Sequence, residues 1–342
     1  MTQTSGPALP VALLFPGQGA QHPRMAAGLY GHSAVFTELM DTAFELLGPE
    51  GNRLRTEWLS AEPSGSFDDV TRAQPLLYAV NCALGSLVLS WGVRPCALLG
   101  HSVGEMAAAT LAGVFDFTDG IRLMRDRVDT MADTPPGGML AVAASAADLD
   151  PFLGGQVALA AVNAPRQTML AGPEGELAEV ERSLRAKDIT CRRVKAKQGF
   201  HSPMVAAAAG RSEPHWRATA LRAPRIPVYS AYRPGPLRAE QATDPLFWTT
   251  QPADPVLFGP ALDLLLEDRD ALLLEAGPGQ GLSALTRRHP KVTAGHSSAA
   301  ALLPARLRDP SGQADRESVR KAVRRLGEEG HQILPRDTGL RG

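Results

Sequence analysis

The chain has 342 residues, 44% of them hydrophobic and 21% charged, with a formal net charge of −1. That length and composition fit a soluble globular protein of about two domains, or one domain with an insertion, and the near-zero charge excludes the global field that recruits nucleic acid or an anionic membrane. Three cysteines, Cys82, Cys96 and Cys191, with no Cys-x-x-Cys spacing indicate neither a disulfide framework nor a zinc site, so a reduced cytoplasmic protein without a bound metal is expected.

Met1 to Pro10 lacks the basic segment of a signal peptide, and no later stretch approaches the roughly 18 unbroken apolar residues of a membrane span. Val11 to Phe15 is a short apolar run closed by Pro16-Gly17-Gln18-Gly19, a buried strand ending in a glycine-rich turn. A helix is expected through Met25 to Tyr30. Gln74 to Trp91 carries Leu76, Leu77, Val80, Leu84, Leu87 and Val88 at helical spacing, and Cys96 to Leu99 is a second buried strand running into Gly100. Strands alternating with helices argue for an α/β unit around a parallel sheet.

From Gly137 the texture changes. Met139–Ala143 reads as a strand, Ser145–Leu153 as a helix, and Val157–Val162 with Gln167–Ala171 as a strand pair joined through Asn163-Ala164-Pro165. Glu174–Ala186 follows as a helix and Ile189–Val194 as a last strand. That βαββαβ order is ferredoxin-like, which divides the chain into a larger α/β-hydrolase-like unit over 1–133 and 204–342 and an inserted smaller unit over 134–203. Pro227–Ser230 and Ala271–Glu275 return as strands of the larger unit, and Asp315–Glu329 reads as an amphipathic surface helix.

Gly100-x-Ser102-x-Gly104, after an apolar strand and before Met106-Ala107-Ala108-Ala109, is a nucleophile-elbow arrangement: the glycines permit a sharp turn that lifts a serine hydroxyl to the mouth of a sheet. The next helix aims its N-terminal N–H groups at the same place, where they favour an oxyanion. A serine needs a base, and among eight histidines the residues alone do not choose. His22, His32 and His215 sit in polar or loop-like surroundings, whereas His201, in Gln198-Gly199-Phe200-His201-Ser202-Pro203, falls where the chain re-enters the larger unit.

These residues resemble the malonyl-CoA:acyl carrier protein transacylases, including the acyltransferase units of fatty acid and polyketide synthases. The resemblance runs from about Leu14 to Leu285. It rests on Phe15-Pro16-Gly17-Gln18-Gly19-Ala20-Gln21, Gly100-His101-Ser102-Val103-Gly104-Glu105, Gly137-Gly138-Met139, Asn163-Ala164-Pro165, Phe200-His201-Ser202, Pro255-Val256-x-Phe258 and Glu275-Ala276-Gly277-Pro278-Gly279, in that order.

The resemblance implies Ser102 as nucleophile and His201 as its base, with no acidic third member; a backbone carbonyl orients the imidazole, and Gln251 is the matching residue. It implies an oxyanion hole from the N–H groups of Gln18 and Val103, and an acyl site involving His101, Phe200, Gln198 and Arg127, with Asn163 in an orienting role. Arg127 would pair with the free carboxylate of a malonyl group, a use to which the planar guanidinium is suited. Gln198, Gly199 and Val128 depart from the family's usual residues. The implied partners are an acyl carrier protein and an acyl-CoA donor, the thioester being substrate rather than bound cofactor.

Other readings stay open: a carrier-to-carrier shuttle or proofreading hydrolase on the same scaffold, an α/β-hydrolase esterase, for which His289 and His296 offer no convincing acid partner, and a non-catalytic carrier-docking module. Arginines between Arg306 and Arg325 could face an acidic carrier, although a solvated helix face explains them as well. The start at Met1 and the tail past Gly330 favour a free-standing enzyme over an excised synthase unit.

Overall fold

The computed structural model describes residues 8–63, 67–305 and 311–334, so Arg306 and Arg308, at the start of the arginine-bearing segment, lie outside the described residues. The chain runs through β1 (Val11–Phe15), α1 (Ala34–Leu47), α2 (Pro49–Leu59), α3 (Val70–Ser90), β2 (Ala97–Gly100), α4 (Val103–Ala112) and α5 (Phe117–Met131). It then forms β3 (Gly137–Val142), α6 (Ala146–Leu149), β4 (Ala158–Ala164), β5 (Gln167–Pro173), α7 (Glu174–Ala186) and β6 (Cys191–Val194). Four further strands follow: β7 (Val228–Ser230), β8 (Gly235–Pro236), β9 (Leu272–Glu275) and β10 (Ser298–Ala301).

The larger sheet has the order β10-β9-β1-β2-β7-β8. Its first five strands are mutually parallel, and β8 turns back antiparallel on β7. Helices cover both faces, so β1, β2 and β9 are buried at every residue. This is why they read as continuous apolar runs rather than alternating ones. All parallel strands end at one edge of the sheet, where the loops after β1, β2 and β9 meet. The smaller sheet is antiparallel with the order β4-β5-β3-β6, which together with α6 and α7 is the ferredoxin-like arrangement.

The two sheets are stitched near the site. Val162 N–H donates to the Val256 carbonyl at 2.8 Å, and Val256 N–H donates to the Ala160 carbonyl at 2.9 Å. The loop 251–256 of the larger unit therefore lies along the edge of β4. An apolar seam of Val70, Met131, Met139, Phe200, Val205 and Ala208 closes the same junction.

Several expectations need correction. Met25–Tyr30 is not a helix but a single 3-10 turn, Ala27–Leu29, because Arg24 and Ala26 adopt φ of 59° and 60° and interrupt any helical run. Ser145–Leu153 is helical only to Leu149; Pro151, which lacks an N–H, turns the rest into a 3-10 segment. α3 starts at Val70, four residues earlier than its apolar spacing suggests, since Asp69 caps it by accepting from Thr71 N–H at 3.0 Å. α3 is also long and apolar enough to cross a membrane by length and composition, but 83% of its most apolar window is buried inside the protein. It is a core helix packed on α1, α4 and α5.

Candidate active site

Ser102 sits between the last residue of β2 and the first turn of α4, with φ 54° and ψ −120°. No ordinary side chain favours that conformation, and close packing holds it there. His101 N–H donates to the Phe15 carbonyl at 2.9 Å, tying the elbow to the end of β1, and Gly104 N–H donates to the His101 carbonyl at 2.9 Å. A Cβ at Gly104 would collide with the Phe15 carbonyl, so α4 can cross β1 this closely only because residue 104 has no side chain. The strained serine thus points its hydroxyl away from the sheet while its backbone starts a helix.

Ser102 Oγ lies 2.8 Å from His201 Nε2. The opposite ring nitrogen, Nδ1, is 2.9 Å from the Asp254 carbonyl and 3.2 Å from that of Gln251. Carbonyls only accept, so Nδ1 carries the proton and the Nε2 lone pair faces the serine O–H, the tautomer a general base requires. His201 also has a positive φ, 61°, and its N–H donates to the Pro252 carbonyl at 2.7 Å. Burial and the neighbouring His101 ring push its pKa down to about 4, with Arg127 adding to the depression and the two carbonyls opposing it. The imidazole is neutral at pH 7 and ready to take a proton.

The N–H of Val103 is the first of α4 and has no acceptor within the helix. Across from it the turn after β1 brings the Gln18 backbone, and among the described residues neither N–H has a backbone acceptor. The turn is fixed from behind: Asn81 Nδ2 donates to the Pro16 carbonyl at 2.9 Å, and Gln74 Nε2 donates to Gln18 Oε1 at 3.2 Å. A Cβ at Gly17 would fall 2.5 Å from the His101 carbonyl oxygen and 3.2 Å from Ser102 Cβ. Two N–H groups without a backbone acceptor among the described residues, beside a serine hydroxyl, are the elements of an oxyanion hole.

Arg127 projects from α5 and is only 6% exposed. Among the described residues its guanidinium has no salt bridge and no hydrogen bond; its charge is felt at His201 and at Tyr232, and the neighbouring Asp126 carboxyl supports it electrostatically. A buried cation without a salt bridge is costly and invites an anionic ligand. His101 is held by Asn163, with Nε2 2.8 Å from Oδ1, and packs on Phe258. Asn163 therefore orients His101 rather than His201. Phe200 is buried in the seam, its ring 6.4 Å from that of His201. Gln198 is half-buried, and among the described residues no hydrogen bond joins it to the others.

Three participants carry no sequence signal strong enough to find them. Asp254 acts through a main-chain carbonyl, to which any residue could contribute. Glu105 belongs to the elbow motif but plays a separate part. Fully buried, it accepts from Ser230 Oγ and Ala231 N–H, both at 2.7 Å, and from Gln251 Nε2 at 3.4 Å. One carboxyl thus ties the first turn of α4 to the turn after β7 and to the residue behind His201. Burial raises its pKa to about 8 against those hydrogen bonds. Tyr232, in an unremarkable stretch of sequence, is buried against the His201 ring at 6.1 Å.

A serine, a histidine whose Nε2 lone pair faces it and two neighbouring N–H groups are the equipment that acyl transfer needs. The family model for the acyl transferase domain matches residues 12–329. A component of the phenolphthiocerol/phthiocerol polyketide synthase of Mycobacterium tuberculosis is 37% identical over 287 residues, 84% of this chain and 19% of that protein. The chain thus spans about a fifth of that relative's length. The acyl transferase domain of SpnD in complex with 2-(pent-4-yn-1-yl)malonyl has a TM-score of 0.85 at 29% identity, over 94% of this chain and 77% of that one. FabD from Acinetobacter baumannii, at 24% identity and a TM-score of 0.80 over 94% of this chain and 99% of that one, shares the fold. Because the family match runs from β1 through the C-terminal helix and encloses every residue of this site, the chain belongs to the acyl transferase domain family.

Proposed function

We propose that this acyltransferase moves a carboxyacyl unit, malonyl or a close relative, from a thioester donor such as CoA to the phosphopantetheine thiol of an acyl carrier protein, in polyketide or fatty acid biosynthesis in the cytoplasm. The observation that carries this reading is Arg127, a buried guanidinium that makes no salt bridge or hydrogen bond among the described residues and whose charge reaches the Ser102–His201 pair. An acyl carboxylate would supply the missing charge, and an acetyl group would leave it unpaired. The substituted malonyl bound by the SpnD domain has that chemistry.

The reaction is ping-pong. His201 Nε2 takes the proton as Ser102 Oγ bonds to the thioester carbonyl carbon, and the oxygen that gains charge rests on the Gln18 and Val103 N–H groups. Collapse breaks the C–S bond, and the thiolate leaves with the proton from His201. The carrier thiol then gives its proton to His201, attacks the acyl-Ser102 ester, and Ser102 recovers its proton as the C–O bond breaks. No resident cofactor takes part. The larger unit, 1–133 and 204–342, supplies nucleophile and oxyanion donors; the smaller, 134–203, delivers His201.

Intact-mass analysis after incubation with malonyl-, methylmalonyl- and acetyl-CoA tests this. A malonyl adduct on the wild type, its absence in Ser102→Ala and loss of preference over acetyl in Arg127→Ala are expected. An adduct that persists in Ser102→Ala ends the covalent route. A carrier-to-carrier shuttle or proofreading hydrolase handling uncarboxylated acyl groups would instead be indifferent to Arg127.

A further inference from the structure

Tyr232 stands where two parallel strand ends come side by side. β7 pairs with β2 so that Leu98 lies beside Val228 and Leu99 beside Tyr229. The pairing ends there, and Tyr232 follows in the turn just past β7 as Ser102 follows in the elbow just past β2. The turn carrying Tyr232 is pinned: Ser230 Oγ accepts from Tyr232 N–H at 3.0 Å and Arg233 N–H at 3.2 Å, while Glu105 accepts from Ser230 Oγ and from Ala231 N–H. Ala231 is held further by its carbonyl, which accepts from Leu257 N–H at 2.6 Å. A side chain mounted this rigidly is suited to aiming a single polar atom.

The ring is 3% exposed, packs 6.1 Å from the His201 ring, and lies in the apolar cluster with Val256 and Phe258. The polar groups that bear on its hydroxyl are Glu105, Arg127, Asp254 and the Ser102 side chain. Burial and the nearby Glu105 carboxyl hold the phenol well above its ordinary pKa, so it remains a neutral O–H donor at any working pH. It therefore sits within the influence of both the nucleophile and the guanidinium, and an acyl chain esterified to Ser102 and reaching toward Arg127 must pass it. The Gln18 and Val103 N–H groups would serve the carbonyl oxygen of that ester, which leaves the hydroxyl, between the Ser102 side chain and Arg127, for another acceptor on the acyl unit.

We infer that Tyr232 is a specificity-determining residue: its hydroxyl donates a hydrogen bond to the terminal carboxylate of the acyl unit on Ser102, alongside Arg127. The inference rests on the carboxyacyl reading above and adds a second, uncharged donor to it. A neutral donor to a carboxylate contributes enough to change acylation roughly tenfold or more.

The test compares wild type, Tyr232→Phe and Arg127→Ala in single-turnover acylation by malonyl-CoA and acetyl-CoA, followed by intact mass. Tyr232→Phe should lower the malonyl-to-acetyl ratio of kcat/KM about tenfold, mainly through a weaker malonyl KM. A ratio is insensitive to how much of a variant is folded, and a purely structural role would depress both substrates alike. An unchanged ratio in Tyr232→Phe, with the ratio collapsed in Arg127→Ala, overturns the Tyr232 assignment and leaves the carboxyacyl reading standing. A ratio unchanged in Arg127→Ala, or a wild type that accepts neither acyl group, overturns both.

Discussion

Gly17→Ala is the sharpest probe of the oxyanion arrangement, because it removes no atom of Ser102 or His201, although its new Cβ comes 3.2 Å from Ser102 Cβ. The new Cβ would fall 2.5 Å from the His101 carbonyl oxygen and 3.0 Å from His101 Nδ1. A relaxed carbon–oxygen contact is about 3.3 Å, so the turn after β1 and the elbow must separate by roughly 0.8 Å. The obstructing atom is main chain and already accepts from Gly104 N–H, so it cannot swing aside as a side chain would. The displacement moves the Gln18 N–H off the position that the oxyanion occupies. Loss of one such donor costs about 100- to 1,000-fold in rate, and a misplacement near 1 Å about 100-fold. Rapid-quench acylation with malonyl-CoA, read by intact mass, should show kcat reduced about 100-fold with KM changed little. Thermal melting should show destabilisation of about 1–3 kcal/mol from overpacking. Acylation at the wild-type rate in a folded Gly17→Ala protein would refute the assignment of Gln18 N–H to the oxyanion.

Other expectations follow from the same geometry. Because the pKa of His201 is depressed to about 4, the imidazole is neutral over the whole range above that value, so the acid limb of kcat/KM should lie near pH 4; a limb at the ordinary histidine value of about 6.5 would contradict its burial. Asp254 meets His201 through its carbonyl only, so Asp254→Ala should cost less than about tenfold in kcat, against the roughly 10,000-fold loss seen when a triad carboxylate is neutralised. Glu105→Gln should cost about 1–3 kcal/mol at pH 5, since its amide N–H2 brings two donors where the protonated carboxyl has one and must face one of the donors at Ser230, Ala231 and Gln251. Wild-type Glu105 keeps its proton to about pH 8 when folded but releases it near 4.5 when unfolded, so wild-type stability falls as pH rises through that window. The variant lacks this loss, and its deficit should shrink between about pH 5 and 8.5 in urea unfolding; a deficit unchanged across that window would show that Glu105 is already ionised in the native protein.

The legible parts of this molecule were those with short-range signals. The buried strands Val11–Phe15 and Ala97–Gly100 announce themselves as apolar runs, and the elbow glycines mark a turn that only certain residues permit. β10, Ser-Ala-Ala-Ala, has no β-branched or aromatic residue to mark it, and exists because β9 offers it a hydrogen-bonding edge. Arg24 and Ala26 broke an expected helix through backbone angles that their side chains do not advertise. In the site, Ser102, His201, Gln18 and Arg127 could be named through family resemblance, whereas the Asp254 carbonyl, the Glu105 brace and Tyr232 could not. Each of those depends on the register of β2 against β7 or on the path of the loop 251–256, which are properties of the assembled sheets.

The charges of the site fit one another in a way that bears on substrate choice. His201 and Arg127 are both buried: Arg127 adds to the depression of the histidine behind burial and His101, and burial lowers the arginine's own pKa while Tyr232 and Asp126 raise it. A proton moving from Ser102 to His201 would create an imidazolium in the field of a guanidinium that makes no salt bridge among the described residues. On the proposed function, a carboxylate seated on Arg127 would offset the arginine's share of that penalty before chemistry begins, so a carboxyacyl substrate would both bind and raise the basicity of His201. An acetyl group does neither. Discrimination should therefore show in kcat as well as KM, and Arg127→Ala should partly restore acetyl acylation by relieving the repulsion on His201. If Arg127→Ala instead slows acetyl acylation as much as malonyl, the arginine supports the fold of the cleft and the electrostatic account of selectivity fails.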